Sequence, residues 1–131
     1  MSRLKTALGG YAGYQGREGH LAFLLHRVTG LGTVLFLTIH IVDTALVYFR
    51  PELYMDAVAL YRSTLFGIGE VFLVFCVFYH GINGLRIAAF DLFLKKNWQI
   101  QTARSSVRWT LGLTLLLWLP ATVIMVRNLL I

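Results

Sequence analysis

Residues 65–86 read LFGIGEVFLVFCVFYHGINGLR, an apolar run that carries one histidine, His80, near its end. About 20 apolar residues suffice for one helical crossing of a hydrocarbon core, so this run is long enough to span a membrane. An ionisable side chain at that depth is costly to keep, and it marks a functional site by default. Gly84 lies one helical turn beyond His80 on the same face, where it leaves a flat surface for a large planar ring. The run therefore predicts a membrane helix that carries a binding site.

The chemistry of His80 indicates which ligand that site holds. Imidazole is a common axial ligand of haem iron, and we expect His80 to be such a ligand. Arg86 follows six residues later, where the chain returns to water, and its guanidinium is expected to reach the propionates of a haem bound by His80. The alternative is a structural histidine that is hydrogen-bonded inside a helix bundle.

Composition places the whole chain in a membrane. Of 131 residues, 57% are hydrophobic and 14% are charged, and the mean hydropathy is +0.68. The apolar residues fall in three blocks, which predict spans at about residues 21–49, 63–94 and 109–130. We expect one all-α domain over residues 1–131, an integral membrane protein with three transmembrane helices. We expect no separate soluble catalytic domain within these 131 residues.

The positive charge is distributed as in a membrane protein. The formal net charge is +6, and the basic residues cluster beside the apolar blocks, which favours lipid headgroups over nucleic acid as their partners. Most of them lie in residues 1–19 and in or beside the connector after the second block: Arg3, Lys5, Arg17, Lys95, Lys96, Arg104 and Arg108. The positive-inside rule then predicts a cytoplasmic N-terminal segment, residues 1–19, and a C-terminus on the outer side.

The first span carries a stripe of polar and small residues. They recur at intervals of three, four and seven: His26, Thr29, Gly30, Thr33, His40, Asp43 and Thr44. A stripe of this kind in a membrane helix faces the bundle interior or a cofactor rather than lipid. Fourteen residues separate His26 from His40, so the two lie on nearly the same face. Because His26 lies beside Arg27 at the predicted boundary, contact with a haem propionate or a quinone is expected there rather than iron ligation.

The depths of the histidines predict two haems rather than one. If Arg27 and Arg86 both mark the cytoplasmic boundary, His40 lies about 20 Å deep and His80 about 9 Å deep, at 1.5 Å per residue. One haem held by two histidines needs both at the same depth, and a gap of about 11 Å is too large for that. We therefore expect two stacked haems, each with one ligand from this chain and one from a partner chain in a shared helix bundle.

Two carboxylates lie towards the predicted outer face. Asp43 and Glu70 are each about 24 Å from the same boundary. One interpretation is that they are satisfied interfacial carboxylates. The other is that they carry protons to an outer quinone site, because quinone reduction takes up two electrons and two protons. The residues alone leave both open.

Two motifs taken together resemble a known family. His26-Arg27-Val28-Thr29-Gly30 is followed, after the second apolar run, by His80-(x)3-Gly84-Leu85-Arg86-(x)4-Asp91. With the three-span layout, over about residues 17–125, this pair is similar to the cytochrome b membrane-anchor subunit of succinate dehydrogenase. Arg17-Glu18-Gly19 and His40-Ile41-Val42-Asp43 resemble the bacterial subfamily that has two haems and uses menaquinone.

The resemblance implies electron transfer in the bacterial cytoplasmic membrane. The implied partners are a second membrane-anchor subunit, an iron–sulphur subunit and a flavoprotein that oxidises succinate, with quinone as the electron acceptor. By motif, His80 is the ligand of one haem b and His40 the ligand of a second. Arg27 and His26 are implied to lie beside a quinone site and a haem propionate.

One position departs from the pattern of the family. In the ubiquinone-reducing branch, a serine three residues before the motif histidine contacts quinone, whereas this chain has Phe23. The departure favours the outer quinone site, near Asp43 and Glu70. Arg27 and Asp91 complete the candidate residues for binding quinone or handling protons.

Other functions are compatible with parts of the pattern. The same anchor serves fumarate reductases, which run the reaction in the opposite direction. A small proton- or ion-translocating component without haem would use His40, Asp43, Glu70 and His80 as a path, but it gives no reason for the glycines beside His80. A purely structural anchor without haem is the third alternative.

Overall fold

The computed structural model describes residues 17–93 and 100–130, which form four helices and no strand. Helix α1 is Arg17–Phe49, α2 is Pro51–Tyr61, α3 is Thr64–Leu92 and α4 is Ile100–Leu130. Residues 1–16 of the predicted cytoplasmic segment, with Lys95 and Lys96, lie outside the described residues. The prediction of an all-α chain with three long apolar helices is confirmed, and the three segments that could cross a membrane are Glu18–Phe49, Thr64–Leu92 and Arg104–Arg127.

Local sequence explains where the helices break. Helix α1 ends at Phe49, one residue before Arg50, because a residue that precedes proline is disfavoured in the helical conformation. Pro51 then opens α2, since its fixed φ suits a first turn and its missing N–H is not needed there. Ser63 has extended backbone, with φ −71° and ψ 147°, and it separates α2 from α3.

The buried core lies where α1, α3 and α4 meet. It consists of small, polar and aromatic side chains: Ala22 and Thr29 on α1, Cys76, Tyr79 and Asn83 on α3, and Val107, Thr110 and Thr114 on α4. Small residues let membrane helices approach closely, and hydroxyl groups inside them bond to their own helix. Thr29, for example, donates to the carbonyl oxygen of Leu25 at 2.6 Å, and Thr114 donates to that of Thr110 at 2.8 Å.

Polar contacts join the helices at both ends of the bundle. At one end, Arg108 on α4 forms a salt bridge of 2.6 Å with Glu18 on α1. At the other, the Tyr61 hydroxyl at the end of α2 donates to Asp43 Oδ2 on α1 at 2.9 Å. We call these the Glu18 end and the Asp43 end. Large apolar side chains such as Leu31, 75% exposed, cover the outer surface, which is suited to lipid or to other membrane helices.

Candidate functional site

Two histidines stack against each other towards the Glu18 end. The imidazole rings of His26 on α1 and His80 on α3 have centroids 4.2 Å apart and an interplanar angle of 4°. Both side chains are half-buried. Residues from the two sequence motifs, 54 positions apart in the chain, are therefore brought together by the packing of α1 on α3.

The hydrogen bonding of His80 determines which of its nitrogens is free. Its Nδ1 lies 3.1 Å from the backbone carbonyl oxygen of His26. A carbonyl oxygen only accepts, so Nδ1 is the donor in this bond, and Nε2 is the nitrogen that the bond leaves unengaged. Histidines that ligate a metal are commonly oriented in this way, with the other ring N–H bonded to a carbonyl or carboxylate. The orientation of His80 is therefore compatible with coordination of a metal through Nε2.

Glycines make room for the two rings. A Cβ added at Gly30 would lie 2.9 Å from His80 Cε1 and 3.1 Å from its Nδ1, so only glycine admits the ring in this position. Gly84 faces the other imidazole, with an added Cβ 3.6 Å from His26 Cε1. The flat surface predicted at Gly84 is therefore covered in part by the His26 ring. At Gly81, next to His80, an added Cβ would meet no atom within 4 Å.

The register of α1 on α3 corrects the predicted depths. The sequence estimate treated Arg27 and Arg86 as level with each other, which placed His80 about 9 Å below the Arg27 level. The stacked rings show that His80 is level with His26, so that estimate is wrong. The equal depth predicted for Asp43 and Glu70 is wrong for the same reason, because Glu70 lies ten residues from His80, about 15 Å, and Asp43 lies 17 residues from His26, about 26 Å. The positions of arginines give the level of the boundary only approximately. The long side chain of an arginine reaches several ångströms along the helix, so its backbone can lie above or below the end of the apolar segment.

His40 lies far from the pair of stacked rings. Fourteen residues of α1, about 21 Å at 1.5 Å per residue, separate it from His26. It is exposed, and its ring stacks on Phe36 one turn earlier, with centroids 5.7 Å apart. His40 shares a face of α1 with Thr29, because 11 residues make about three turns. That face is buried at Thr29 but open at His40, so the chain presents His40 outwards.

The two arginines of the motifs have different surroundings. Arg27 is exposed, and its guanidinium carbon lies 5.4 Å from the centre of the Phe23 ring in a cation–π contact. The Phe23 position that departs from the family therefore supports Arg27 directly. Arg86 is half-buried between α3 and α4, where its Nη1 donates to Ser106 Oγ at 3.2 Å. The structure places Arg86 next to the core and Arg27 on the outer surface.

The three candidate carboxylates do not form one cluster with the histidines. Asp43 accepts the hydrogen bond of Tyr61, and this bond, with desolvation and the Asp43 charge adding to it, raises the pKa of Tyr61 above its usual value. Glu70 is exposed on α3, and Asp91 is exposed near the end of the same helix. The Tyr61 bond agrees with the interpretation of Asp43 as a satisfied interfacial carboxylate, and it leaves a proton-carrying role untested.

Sequence reasoning missed Asn83, which lies between the residues that it selected. Asn83 is 1% exposed, and both polar atoms of its amide lack a hydrogen-bond partner among the described residues. It follows His80 by three residues and precedes Arg86 by three, which places it in the same part of the core. A polar residue in an apolar run was the available signal, but an asparagine does not titrate and so carries a weaker signal than a histidine or an arginine.

The described residues suit a metal cofactor whose organic ring supplies most of the metal ligands. Within residues 17–93 and 100–130, no group of three histidine, cysteine, aspartate or glutamate side chains could hold a metal ion. A haem needs only one or two axial ligands from protein, because its porphyrin supplies the other four. His80, whose Nδ1 is engaged by the His26 carbonyl oxygen and whose Nε2 is not, could supply one such ligand.

Comparisons with known proteins agree with the motifs. Residues 4–121 match the family described as succinate dehydrogenase/fumarate reductase transmembrane subunit. The chain is also 31% identical, over 112 residues, to succinate dehydrogenase 2 membrane subunit SdhC of Mycobacterium tuberculosis, a match that covers 85% of this chain and 79% of that protein. Among the residues that the structure describes, three helices are long and apolar enough to cross a membrane. The chain therefore belongs to the family of succinate dehydrogenase/fumarate reductase transmembrane subunits, and it is a membrane subunit of such an enzyme complex.

Proposed function

We propose that this chain is the cytochrome b anchor of a succinate:quinone oxidoreductase, which binds haem b and passes electrons from an iron–sulphur subunit to menaquinone or another quinone. The observation that carries the proposal is the Nδ1–H of His80, which donates to the His26 carbonyl oxygen at 3.1 Å and leaves Nε2 free. A neutral imidazole oriented in this way is the usual form of an axial histidine. When bound, the haem supplies a one-electron carrier inside the membrane.

The residues around His80 would hold that haem in place. Gly30 admits the His80 ring, and the stack with His26 limits its rotation. Arg86 brings a cation into a half-buried position, where an anionic propionate is a more favourable partner than in water. His26 and Arg27 lie on the α1 side of the site, where we assign them to propionate or quinone contact.

A second haem at His40 is part of the proposal. The separation of about 21 Å along α1 between His26 and His40 is too large for His40 and His80 to share one iron. His40 is exposed on a face that is buried elsewhere along α1, which suits completion of a site by another chain. The second membrane-anchor subunit would supply the remaining axial ligands, and the iron–sulphur and flavoprotein subunits would complete the complex in a bacterial cytoplasmic membrane.

Quinone reduction requires protons as well as electrons. We assign Asp43 and Glu70, at and near the Asp43 end, to proton transfer towards an outer quinone. Asp91, exposed near the other end of α3, is the corresponding candidate on the cytoplasmic side. The positive-inside rule supports a cytoplasmic Glu18 end, since Arg104 and Arg108 lie there. The name of the Mycobacterium relative favours succinate oxidation over fumarate reduction as the direction.

The test is the ratio of haem b to flavin in the purified complex, measured by reduced haemochrome absorbance. We expect two haems per flavin in the wild type, one in His40→Ala and one in His80→Ala, with a different haem lost in each. His20→Ala, which changes a histidine near the start of α1, is the matched control and should retain two. One haem per flavin in the wild type would remove His40 as a ligand, and an unchanged ratio in His80→Ala would reject the central assignment.

A further inference from the structure

A cleft of about 530 Å³ lies between α1 and α4 at the Glu18 end. It is lined by Glu18 and Leu21 on α1 and by Arg104 and Arg108 on α4. None of these four residues is assigned to haem, quinone or proton transfer. We call this space the Arg104 cleft.

The Arg104 cleft lies where the membrane begins. The segments of α1 and α4 that could cross a membrane start at Glu18 and at Arg104, two of the residues that line the cleft. Trp109, next to Arg108, is 77% exposed, and tryptophan is enriched where the hydrocarbon core meets the headgroups. The cleft is therefore at the level of lipid headgroups.

The cleft carries an excess of positive charge. Nε and Nη2 of Arg108 both donate to Glu18 Oε1, at 2.9 and 2.6 Å, and Nη1 takes no part in these bonds. Arg104 precedes Arg108 by four residues, so the two side chains are neighbours on the surface of α4 and their charges repel. Among residues 17–93 and 100–130, no ion pair of Arg104 is formed. An anion between the two guanidinium groups would relieve their repulsion.

Glu18 does not present its charge to such an anion. Its Oε1 already accepts both hydrogen bonds from Arg108, and its Oε2 is buried. Glu18 therefore acts as a positioning residue, which holds the Arg108 guanidinium at the cleft and leaves Nη1–H groups available. Guanidinium N–H groups match the geometry of phosphate oxygens.

An open apolar surface continues from the cleft into the membrane. Gly112 follows Arg108 by one helical turn on the same face of α4, and an added Cβ there would meet nothing within 4 Å. On α1, Leu21 is 52% exposed and Val28, two turns further on the same face, is 55% exposed. The cleft therefore combines cationic groups at the boundary with apolar surface below them.

We propose that the Arg104 cleft binds an anionic phospholipid, with Arg104 and Arg108 on its phosphate oxygens and an acyl chain along Leu21 and Gly112. The arginines alone would suit any phosphate or carboxylate, but the apolar surface below them selects a ligand that has both an anionic head and a hydrocarbon tail. Basic pockets between membrane helices on the cytoplasmic side are typical sites for such headgroups. This site does not depend on haem or quinone binding.

The experiment uses the complete complex in phosphatidylcholine vesicles that contain a trace of phosphatidylglycerol with a diazirine near the top of one acyl chain. Illumination attaches the probe to nearby residues, and mass spectrometry of the digested chain locates the attachment. Unlabelled phosphatidylglycerol and inorganic phosphate are added as competitors. Phosphatidylglycerol has a net negative headgroup, whereas the headgroup of phosphatidylcholine also carries a cation that the arginines repel.

Two variants test the two halves of the cleft. Arg104→Gln removes one cation, and its matched control, Arg127→Gln, removes an exposed arginine from the other end of α4. Gly112→Leu fills the apolar surface, and its matched control is Gly69→Leu, since Gly69 on α3 is likewise exposed with nothing within 4 Å of an added Cβ.

We expect attachment in the wild type around Leu21 and Gly112, which unlabelled phosphatidylglycerol reduces and inorganic phosphate does not. Arg104→Gln should lower the attachment about fivefold, the effect of one cation near a membrane surface, and Arg104→Lys should restore most of it. Gly112→Leu should lower it as well, because the leucine side chain takes the place of the acyl chain. Both control variants should match the wild type.

Three results would overturn the proposal. Full competition by inorganic phosphate would make the cleft a site for free phosphate. No attachment at the cleft in the wild type would reject a lipid occupant, and release of the iron–sulphur subunit from Arg104→Gln membranes would then assign the cleft to a protein carboxylate. Equal attachment in Arg104→Gln and Arg127→Gln would reject the role of Arg104. Attachment and competition in the wild type need no variant, so the test holds even if Arg104→Gln does not assemble.

Discussion

Gly30 faces His80 so closely that a Cβ at residue 30 would lie 2.9 Å from His80 Cε1. Real Cβ atoms essentially never approach another atom this closely, so a larger residue must move the ring. The hydrogen bond from His80 Nδ1 to the His26 carbonyl oxygen depends on the position of that ring. The identity of one residue on α1 therefore controls the orientation of the candidate iron ligand on α3.

Replacing Gly30 with alanine tests this control. We expect Gly30→Ala to displace the His80 ring and to lower the haem content, or to shift the haem reduction potential, without loss of the fold. Potentiometric titration of the purified complex measures the effect. Gly69→Ala is the control, because an added Cβ at Gly69 on α3 meets nothing within 4 Å. Equal haem content and potential in both variants would show that the ring is not held by Gly30.

Gly32 and Cys76 form the neighbouring contact between α1 and α3. A Cβ at Gly32 would lie 2.7 Å from Cys76 Sγ and 3.0 Å from its Cβ. We expect Gly32→Ala to destabilise the complex by about 1–3 kcal/mol, the usual cost of overpacking a core. Thermal unfolding in detergent measures the loss.

A second substitution tests the cause of that loss. Cys76→Ala removes the sulphur atom, so the pair Gly32→Ala, Cys76→Ala should be more stable than the sum of the two single effects. Strict additivity would mean that the strain arises from an atom other than Sγ.

The hydrogen bond between Tyr61 and Asp43 makes a prediction at alkaline pH. Because the pKa of Tyr61 is raised in the folded protein, the bond stabilises the fold below the unfolded pKa of about 10 and is lost as pH rises through the higher folded value. Tyr61→Phe should lower stability by about 0.5 kcal/mol at pH 7, the low end for a partly exposed bond. Thermal unfolding against pH should show this difference vanish as the pH rises through the raised pKa of Tyr61.

The exposed Tyr48 provides the control for that measurement. Tyr48 is 83% exposed at the end of α1, so Tyr48→Phe removes a hydroxyl from a similar position without loss of a described hydrogen bond. The unfolding temperature of Tyr48→Phe should match that of the wild type both at pH 7 and at alkaline pH. A Tyr61→Phe deficit that persists unchanged above pH 11 would show that it does not come from the neutral hydroxyl.

Glu70 is the carboxylate whose proton-carrying role is easiest to isolate. Its side chain is exposed on α3, so Glu70→Gln should leave the fold and the haem spectrum intact. If Glu70 carries protons to quinone, turnover should fall at least several-fold, because a carboxamide does not exchange protons in this pH range. Steady-state quinone reduction measures the effect, with Glu52→Gln on α2 as the control. Unchanged turnover would remove Glu70 from the mechanism.

Much of this protein is predictable from its sequence. Long apolar runs predict membrane helices because the hydrocarbon core admits few other structures. A histidine within such a run indicates a functional site, because an ionisable side chain is costly to keep at that depth. Pro51 similarly predicts the break between α1 and α2. His26 and His80 were also identified from local patterns, since each belongs to a short motif that contains a glycine.

The relationships between helices were not predictable in the same way. Charged residues locate the ends of a span only approximately, and the estimate that made Arg27 level with Arg86 placed His80 too deep. The register is set by close contacts, at Gly30 against His80 and at Gly32 against Cys76.

Burial is the second property that arises only in the folded chain. Asn83 is an ordinary residue in the sequence, and only the packing of the helices leaves it 1% exposed, with both amide atoms buried. Hydrophobicity and helix propensity depend on a residue and its neighbours in the chain, so sequence reveals them. The partners of a side chain depend on how residues far apart in the chain pack, and only the tertiary structure decides that.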